Sequence, residues 1–231
     1  MNYIESNRIA AVLDDYIMLS EEAAGSRPAK TFHASATSVC WRQQVYDILG
    51  YPKQETASRA KWIRSRDVGN LIHTHYSELF KGAGILVANE QSVPENEYEI
   101  GGRLDDLVWL EEQHIIVDIK TVDHAKWVKA PRGDKFQDNY EQLQLYLYFL
   151  GLPEGILLYV NRSDNETKEF SVFRDEECIE RLLKRYGFMK YCKDNRIIPC
   201  EQRSFKCMFC PFQQVCKEDG PQEFKLDERA R

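Results

Sequence analysis

The 231-residue sequence predicts an α/β fold in which helices pack on a mixed central sheet. Three observations predict it. Helical and strand-like periodicities alternate through the middle of the chain in the order helices, three strands, helix, two strands, helix. Gly155-Ile-Leu-Leu-Tyr-Val-Asn161 is a continuous apolar run, the pattern of a central strand covered on both faces. The composition, 43% hydrophobic and 29% charged, supplies a core and argues against disorder in a chain this long.

The elements follow in order. Ile4, Ile9, Val12, Leu13, Ile17 and Leu19 recur at helical spacing, so residues 3–20 read as a helix, and Glu21 to Lys30, with Gly25 and Pro28, as a linker. Ser35 to Leu49 reads as a second helix, capped by Ser35 or Thr37 and stopped by Gly50 and Pro52. A longer helix spans about Ser58 to Lys81 and ends at Gly82. Strands are expected over Ile85–Ser92, Tyr98–Leu110 and His114–Thr121, with Glu111-Glu112-Gln113 as a turn. Asp134–Leu150 is an aromatic-rich helix ended by Gly151 and Pro153. After Gly155–Asn161 come a strand at Glu169–Phe173, a helix over Asp175–Lys193 and a cysteine-bearing tail.

Composition also excludes some function classes. No apolar run reaches the roughly 18 residues a membrane span needs. Glu5, Asn7, Arg8, Asp14 and Asp15 interrupt the N-terminus, which lacks the apolar segment of a signal peptide, so a cytoplasmic location is expected. The net charge of −6 gives no global pull toward nucleic acid. Seven cysteines, an odd number in a chain without an export signal, point to metal or cluster ligation rather than a disulfide framework. There is no Walker A sequence, hence no built-in ATP-driven motor.

Two patches carry chemistry. The first is Gly102-Arg-Leu-Asp105 followed by Asp118-Ile-Lys120. Alternation along a strand puts Asp118 and Lys120 on one face and Ile119 on the other. Asp105 lies on the preceding strand of the same hairpin, so two carboxylates converge with a lysine beside them. Mg²⁺ and Mn²⁺ take oxygen ligands of this kind and stabilise charge on a scissile phosphate, as a metal-dependent phosphodiesterase requires. Ile115-Ile116-Val117 leads straight into Asp118, and a polar pair ending a buried strand is costly without a task. The second patch is Cys207-x-x-Cys210-x5-Cys216, three thiolates at short spacing.

Gly-x-x-Asp followed by Asp-x-Lys resembles the PD-(D/E)XK nuclease superfamily, specifically its RecB-like branch, which includes phage exonucleases and CRISPR-associated adaptation nucleases. Gly69-Asn-Leu-Ile-His73 matches the branch's helical histidine, and Gln142-Leu-Gln-Leu-Tyr146 its Gln-x-x-x-Tyr signature. Gln144 and Tyr148 repeat the latter spacing and leave its register open, Asp106 is a neighbour to Asp105, and Glu90 is the candidate for a first-strand glutamate. The resemblance implies a single domain over residues 1–231 with a restriction-endonuclease-like core at about 57–195. It implies Mg²⁺ or Mn²⁺ held by His73, Asp105, Asp118 and the Ile119 carbonyl, with Lys120, Gln142 and Tyr146 serving catalysis. It further implies a fourth cysteine, Cys40, joining Cys207, Cys210 and Cys216 in a [4Fe–4S] cluster that staples segments of about 33–50 and 200–220 together. Zn²⁺ is the alternative occupant and Cys200 the rival ligand.

The activity so implied is a DNA exonuclease acting on single strands or ends, in recombination, repair, replication or CRISPR adaptation. Partners are DNA and, within that setting, a second copy or a recombination or CRISPR protein. Arg59-Ala-Lys61-Trp62-Ile-Arg64-Ser-Arg66 and Lys126-Trp127-Val-Lys129-Ala-Pro-Arg132 combine cations with an indole, as strand binding needs; Arg64, Arg66, Lys126, Trp127, Lys129 and Arg132 are the expected DNA contacts. The reading from another class is a non-catalytic DNA-binding or assembly module with a structural iron–sulfur or zinc site.

Overall fold

The structure, a computed structural model, describes residues 8–24, 29–54, 59–131, 134–200 and 202–220. A mixed five-stranded sheet forms its centre, with strand order β2-β4-β5-β6-β7: β2 (Leu86–Asn89), β4 (Asp106–Leu110), β5 (Gln113–Val122), β6 (Glu154–Asn161) and β7 (Thr167–Phe173). Only the β5–β6 pair is parallel. These two carry the apolar runs Ile115–Val117 and Gly155–Val160, and burial on both faces is why neither run alternates in polarity. Phe32–His33 (β1) and Ile100–Gly101 (β3) form a separate short parallel pair.

Helices cover both faces. On one side α3 (Arg59–Gly82) lays Ile72, Tyr76 and Phe80 over Val117, Ile119, Leu158 and Val160. On the other, α5 (Asp134–Leu150) and α6 (Glu176–Asp194) bury Leu143, Tyr146, Leu147, Leu182 and Tyr186 with Ile116, Leu157 and Tyr159. The strand alternation therefore decides which helix each β5 side chain meets: Ile119 meets α3, and Asp118 and Lys120 face α5. Sequence marks the helix ends well. Asp175 caps α6, its carboxylate accepting the Cys178 N–H, with Glu176 and Glu177 at the positive end of the dipole. Gly151, at φ +66°, closes α5 in the left-handed conformation that favours glycine.

Several expected boundaries move. The N-terminal helix α1 is Arg8–Ala24, extending into the expected linker; it packs on α3 through the Arg64–Asp14 ion pair and leaves Ile9, Val12, Tyr16 and Leu19 exposed. The second helix, α2, is only Trp41–Ile48, with Cys40 at its N-cap. Residues 34–36 form a separate one-turn 3-10 helix. The carbonyls that would extend α2 backwards are spent elsewhere, because Arg185 of α6 donates to the Thr37 and Val39 oxygens. The strand expected over 98–110 is broken into β3 and β4, and the cation-rich segment after β5 contains a short helix, α4 (His124–Lys129), capped by Asp123. The tail holds a 3-10 turn at Phe205–Phe209 and α7 (Gln213–Asp219).

Candidate active site

The break in the expected strand builds the site. Residues 102–105 leave the β4–β5 ladder, so Asp105 sits just before β4, not on it as the sequence suggested. Its carboxylate Oδ2 accepts the Ile119 N–H at 2.7 Å, and His73 Nδ1 of α3 lies 3.2 Å from its Oδ1. Asp118, 1% exposed, faces the other side of the sheet, with Lys120 Nζ 2.8 Å from its Oδ2. Lys120 also donates to Gln142 Oε1 at 3.0 Å, Gln142 Nε2 donates to the Tyr146 hydroxyl at 3.0 Å, and that hydroxyl donates to the Arg103 carbonyl at 3.0 Å. This relay runs from the lysine back to the segment that carries Asp105.

Gly102 has a packing reason. A Cβ there would stand 3.0 Å from Tyr146 Cε1, 3.1 Å from Ala34 Cβ and 3.2 Å from the Tyr146 oxygen. The glycine of Gly-x-x-Asp and the tyrosine of Gln-x-x-x-Tyr are thus one contact. The same geometry chooses the register on α5: Gln144 turns away to the Phe173 carbonyl and the Asp175 N–H.

The electrostatics pull the two carboxylates apart. Burial raises the Asp105 carboxyl, but the His73 hydrogen bond, the Lys120 charge and the Ile119 N–H outweigh it and hold it below the usual range. Burial pushes Asp118 up to about 6, against the opposing pull of Lys120. His73 is raised, its burial outweighed by Asp105, and Lys120 is raised, its burial outweighed by Asp118 and Asp105. Burial pushes the Tyr146 phenol up to about 12, keeping it a neutral donor. Asp106, fully buried, points to the α3 face, where its Oδ1 accepts the Ser77 hydroxyl at 2.7 Å; the same hydroxyl lies 3.1 Å from the His73 carbonyl. Sequence reasoning missed this strut, whose only signal was a second aspartate at the mouth of a buried strand. Glu90 is exposed; its N–H donates to the Asp105 carbonyl at 2.7 Å and its carboxylate pairs with Arg103 at 3.2 Å.

A profile of the PD-(D/E)XK nuclease superfamily matches residues 29–217. The chain belongs to that superfamily. Within it, the chain is 22% identical over 205 residues to the CRISPR-associated exonuclease Cas4 of Saccharolobus solfataricus, covering 86% of this chain and 93% of that protein. Its fold resembles the crystal structure of SSO0001, with a TM-score of 0.56 and 20% identity over 90% of this chain and 95% of the other. It also resembles the alkaline exonuclease LHK-Exo of Laribacter hongkongensis, with a TM-score of 0.54 and 12% identity over 73% and 90% of the two chains. The superfamily fold is the restriction-endonuclease-like one expected.

Asp105, Asp118 and His73 are the side chains that could hold a divalent cation, the usual requirement of PD-(D/E)XK nucleases. Asp105 and Asp118 share Lys120 and His73, and Asp105 raises the Asp118 carboxyl further, while Asp106 stands on the α3 side with Ser77. Among the described residues, no three His, Cys, Asp or Glu side chains stand as a ready-made ion-binding group.

The cysteines meet at a second place. Cys40, Cys207, Cys210 and Cys216 line one cavity of about 660 Å³, between the start of α2 and the tail. Burial raises the Cys210 thiol, and Cys40, Cys207 and Cys216 raise it further. Cys200 does not line this cavity; it stands near the buried Cys192, whose thiol burial, and then Cys200, push up. Arg42, 1% exposed, crosses the junction and donates to the Pro199, Cys216 and Gly220 carbonyls and to Cys216 Sγ at 3.4 Å. Tyr46 adds a 2.6 Å hydrogen bond to Asp219.

The expected DNA contacts divide. Trp127 is 5% exposed in the core, with Lys168 Nζ 4.3 Å from its ring centroid, so it offers no face to a base; this corrects the sequence reading, which weighed its cationic neighbours and not the apolar side of α4. Lys126 pairs with Asp123, Lys129 is on the exposed side of α4, and Arg132 lies outside the described residues. Arg64 pairs with Asp14, and Arg66 with Asp67 at 2.9 Å. No helix among the described residues is long and apolar enough to cross a membrane.

Proposed function

We propose that the protein is a Mg²⁺- or Mn²⁺-dependent DNA exonuclease, organised as one domain. The observation that carries this reading is the hydrogen-bonded relay from Lys120 through Gln142 and Tyr146 to the Arg103 carbonyl, set against Asp118, Asp105 and His73. Asp105 and Asp118 would hold the cation, with His73 and the Ile119 carbonyl beside them. Bound there, it would supply Lewis-acid stabilisation of charge building on the scissile phosphate. Lys120 is held charged by Asp118 and aimed by Gln142, so its ammonium can offset that charge or orient the attacking water. Tyr146, neutral at physiological pH, keeps Gln142 from turning its amide. Exonuclease activity is supported by the names of the relatives, and single strands or ends remain the proposed substrate.

The four cysteines suit a [4Fe–4S] cluster, with zinc as the alternative, joining segments of about 33–50 and 200–220 to the core. The donor chemistry supports it: four cysteines line one cavity, and four thiolates are the donor set that either occupant takes. Cleavage of single- and double-stranded oligonucleotides in Mn²⁺ tests the nuclease. Wild type should cut, and Asp118→Ala and Lys120→Ala should lose about 100- to 1,000-fold, the effect expected when charge stabilisation at the reacting phosphate is removed. Normal cleavage by either variant would sink the assignment. Iron, zinc and labile-sulfide analysis of anaerobically purified protein tests the cluster.

A further inference from the structure

Trp62 is 62% exposed, although α1 packs on the same helix. An exposed apolar side chain is ordinary in itself, and what distinguishes Trp62 is its place along α3 relative to His73. At 3.6 residues per turn, Trp62, Arg66 and His73 fall within about 40° of one another around α3, and Trp62 lies roughly 16 Å along the axis from His73. The stretch between passes over the C-terminal end of β5, where a Cβ on Gly69 would stand 3.5 Å from the Thr121 hydroxyl. One guanidinium lies over the indole, and a second reaches the same helix three residues further on. Arg66 lies 5.6 Å from the Trp62 ring centroid, and Arg162, arriving from the end of β6, donates to the Ser65 hydroxyl at 3.1 Å. An exposed indole with one guanidinium over it and another on the same stretch of helix, in line with His73, is a combination that can hold one base of a single strand while its phosphates are neutralised.

We propose that Trp62 is a base-stacking platform for the DNA strand being cut, placed on the inner face of α3 a fixed distance from the catalytic centre. This rests on the nuclease reading and adds to it a substrate register. With 3.4 Å per stacked nucleotide, the roughly 16 Å spans no more than about five nucleotides, fewer if the strand is stretched. The platform reads no base identity, because every base has a π-face.

The test uses the full-length protein with Mn²⁺ and single-stranded oligonucleotides carrying one abasic site at successive positions from the cleaved bond. Trp62→Ala should lower kcat/KM by about tenfold on the intact strand, and Trp62→Phe should keep most of it. For wild type, one abasic position within about five nucleotides of the cleaved bond should cost a similar factor, and for Trp62→Ala that position should cost nothing further. Trp62→Ala cutting within about twofold of wild type, or abasic sites costing both proteins equally at every position, overturns the proposal. Should wild type cut no strand, the nuclease reading falls, and fluorescence anisotropy of the same strands decides on Trp62: equal affinities for wild type and Trp62→Ala overturn it, and a roughly tenfold weaker variant upholds it.

Discussion

Gly102→Ala should impair the nuclease without touching a charged group. The added methyl meets Tyr146 Cε1 at 3.0 Å and Ala34 Cβ at 3.1 Å, against a carbon–carbon optimum of about 3.5–4.0 Å. Tyr146 is fully buried between Ala34 and the relay, so relief requires the ring to shift by roughly half an ångström. That shift stretches the 3.0 Å bonds joining its hydroxyl to the Arg103 carbonyl and to Gln142. Overpacking of this kind costs about 1–3 kcal/mol, and in a chain of this size each kcal/mol lowers Tm by about 2–4 °C. Releasing Gln142 unmoors Lys120, and about 1.4 kcal/mol lost from the transition state is a tenfold slower kcat. Thermal unfolding and single-turnover cleavage in Mn²⁺ measure both. Tyr146→Phe removes the 3.2 Å contact while leaving the ring, so the double variant should be less impaired than the two single effects combined. A Gly102→Ala protein with wild-type Tm and wild-type cleavage would refute the idea that this contact holds the relay in place.

Ser77→Ala removes the hydroxyl shared by Asp106 and the His73 carbonyl, leaving a buried carboxyl without its donor. It should cost about 1–3 kcal/mol in denaturant unfolding, with weaker Mn²⁺ binding by calorimetry as His73 loses its anchor. Arg42→Met should lower Tm by several degrees and speed proteolysis of the tail, since the Pro199, Cys216 and Gly220 carbonyls lose a charged donor worth about 1.5–3 kcal/mol per bond. Unchanged protease resistance would show that the tail is held by other means. Asp118, raised by burial to about 6, must be ionised to hold a cation, so protons compete below that pH. His73, raised above its ordinary value by Asp105, must likewise lose its proton to ligate, so Mn²⁺ affinity should fall from neutral pH downward, by up to about tenfold per unit for each group; in His73→Gln only the fall below about 6 should remain, whereas an unshifted Asp118 would leave that variant flat to about 4.

Much of the architecture was legible because local pattern and packing agree. Asp134–Leu150 and Gly155–Asn161 carry strong periodicity between clear terminators, and their observed spans match or nearly match. Where long-range contacts compete, sequence reading failed. Ser35 and Thr37 look like helix caps, yet the carbonyls around them bond to Arg185, a residue distant in sequence. The run from Tyr98 to Leu110 has the apolar alternation of one strand, but its middle leaves the ladder so that Asp105 can reach the Ile119 N–H. Trp127 looked like a stacking residue because its neighbours are cations; only the placement of α4 against Lys168 shows it as core. The site itself was legible as a set of residue types at known spacings, and the contact of Gly102 with Tyr146 that binds two of those spacings together was not.

The site draws its groups from opposite sides of one sheet. His73 belongs to the α3 layer, Lys120, Gln142 and Tyr146 to the α5 layer, and the segment 102–105 is where the two meet. Neither layer holds a competent set alone. A chain that has formed its sheet but docked only one helical layer presents either a histidine without the lysine relay or the relay without His73. A nuclease built this way would then be inert while emerging or partly unfolded, and its activity would report completed assembly of the whole sandwich. Conditions that loosen either layer should silence it well before the sheet itself is lost.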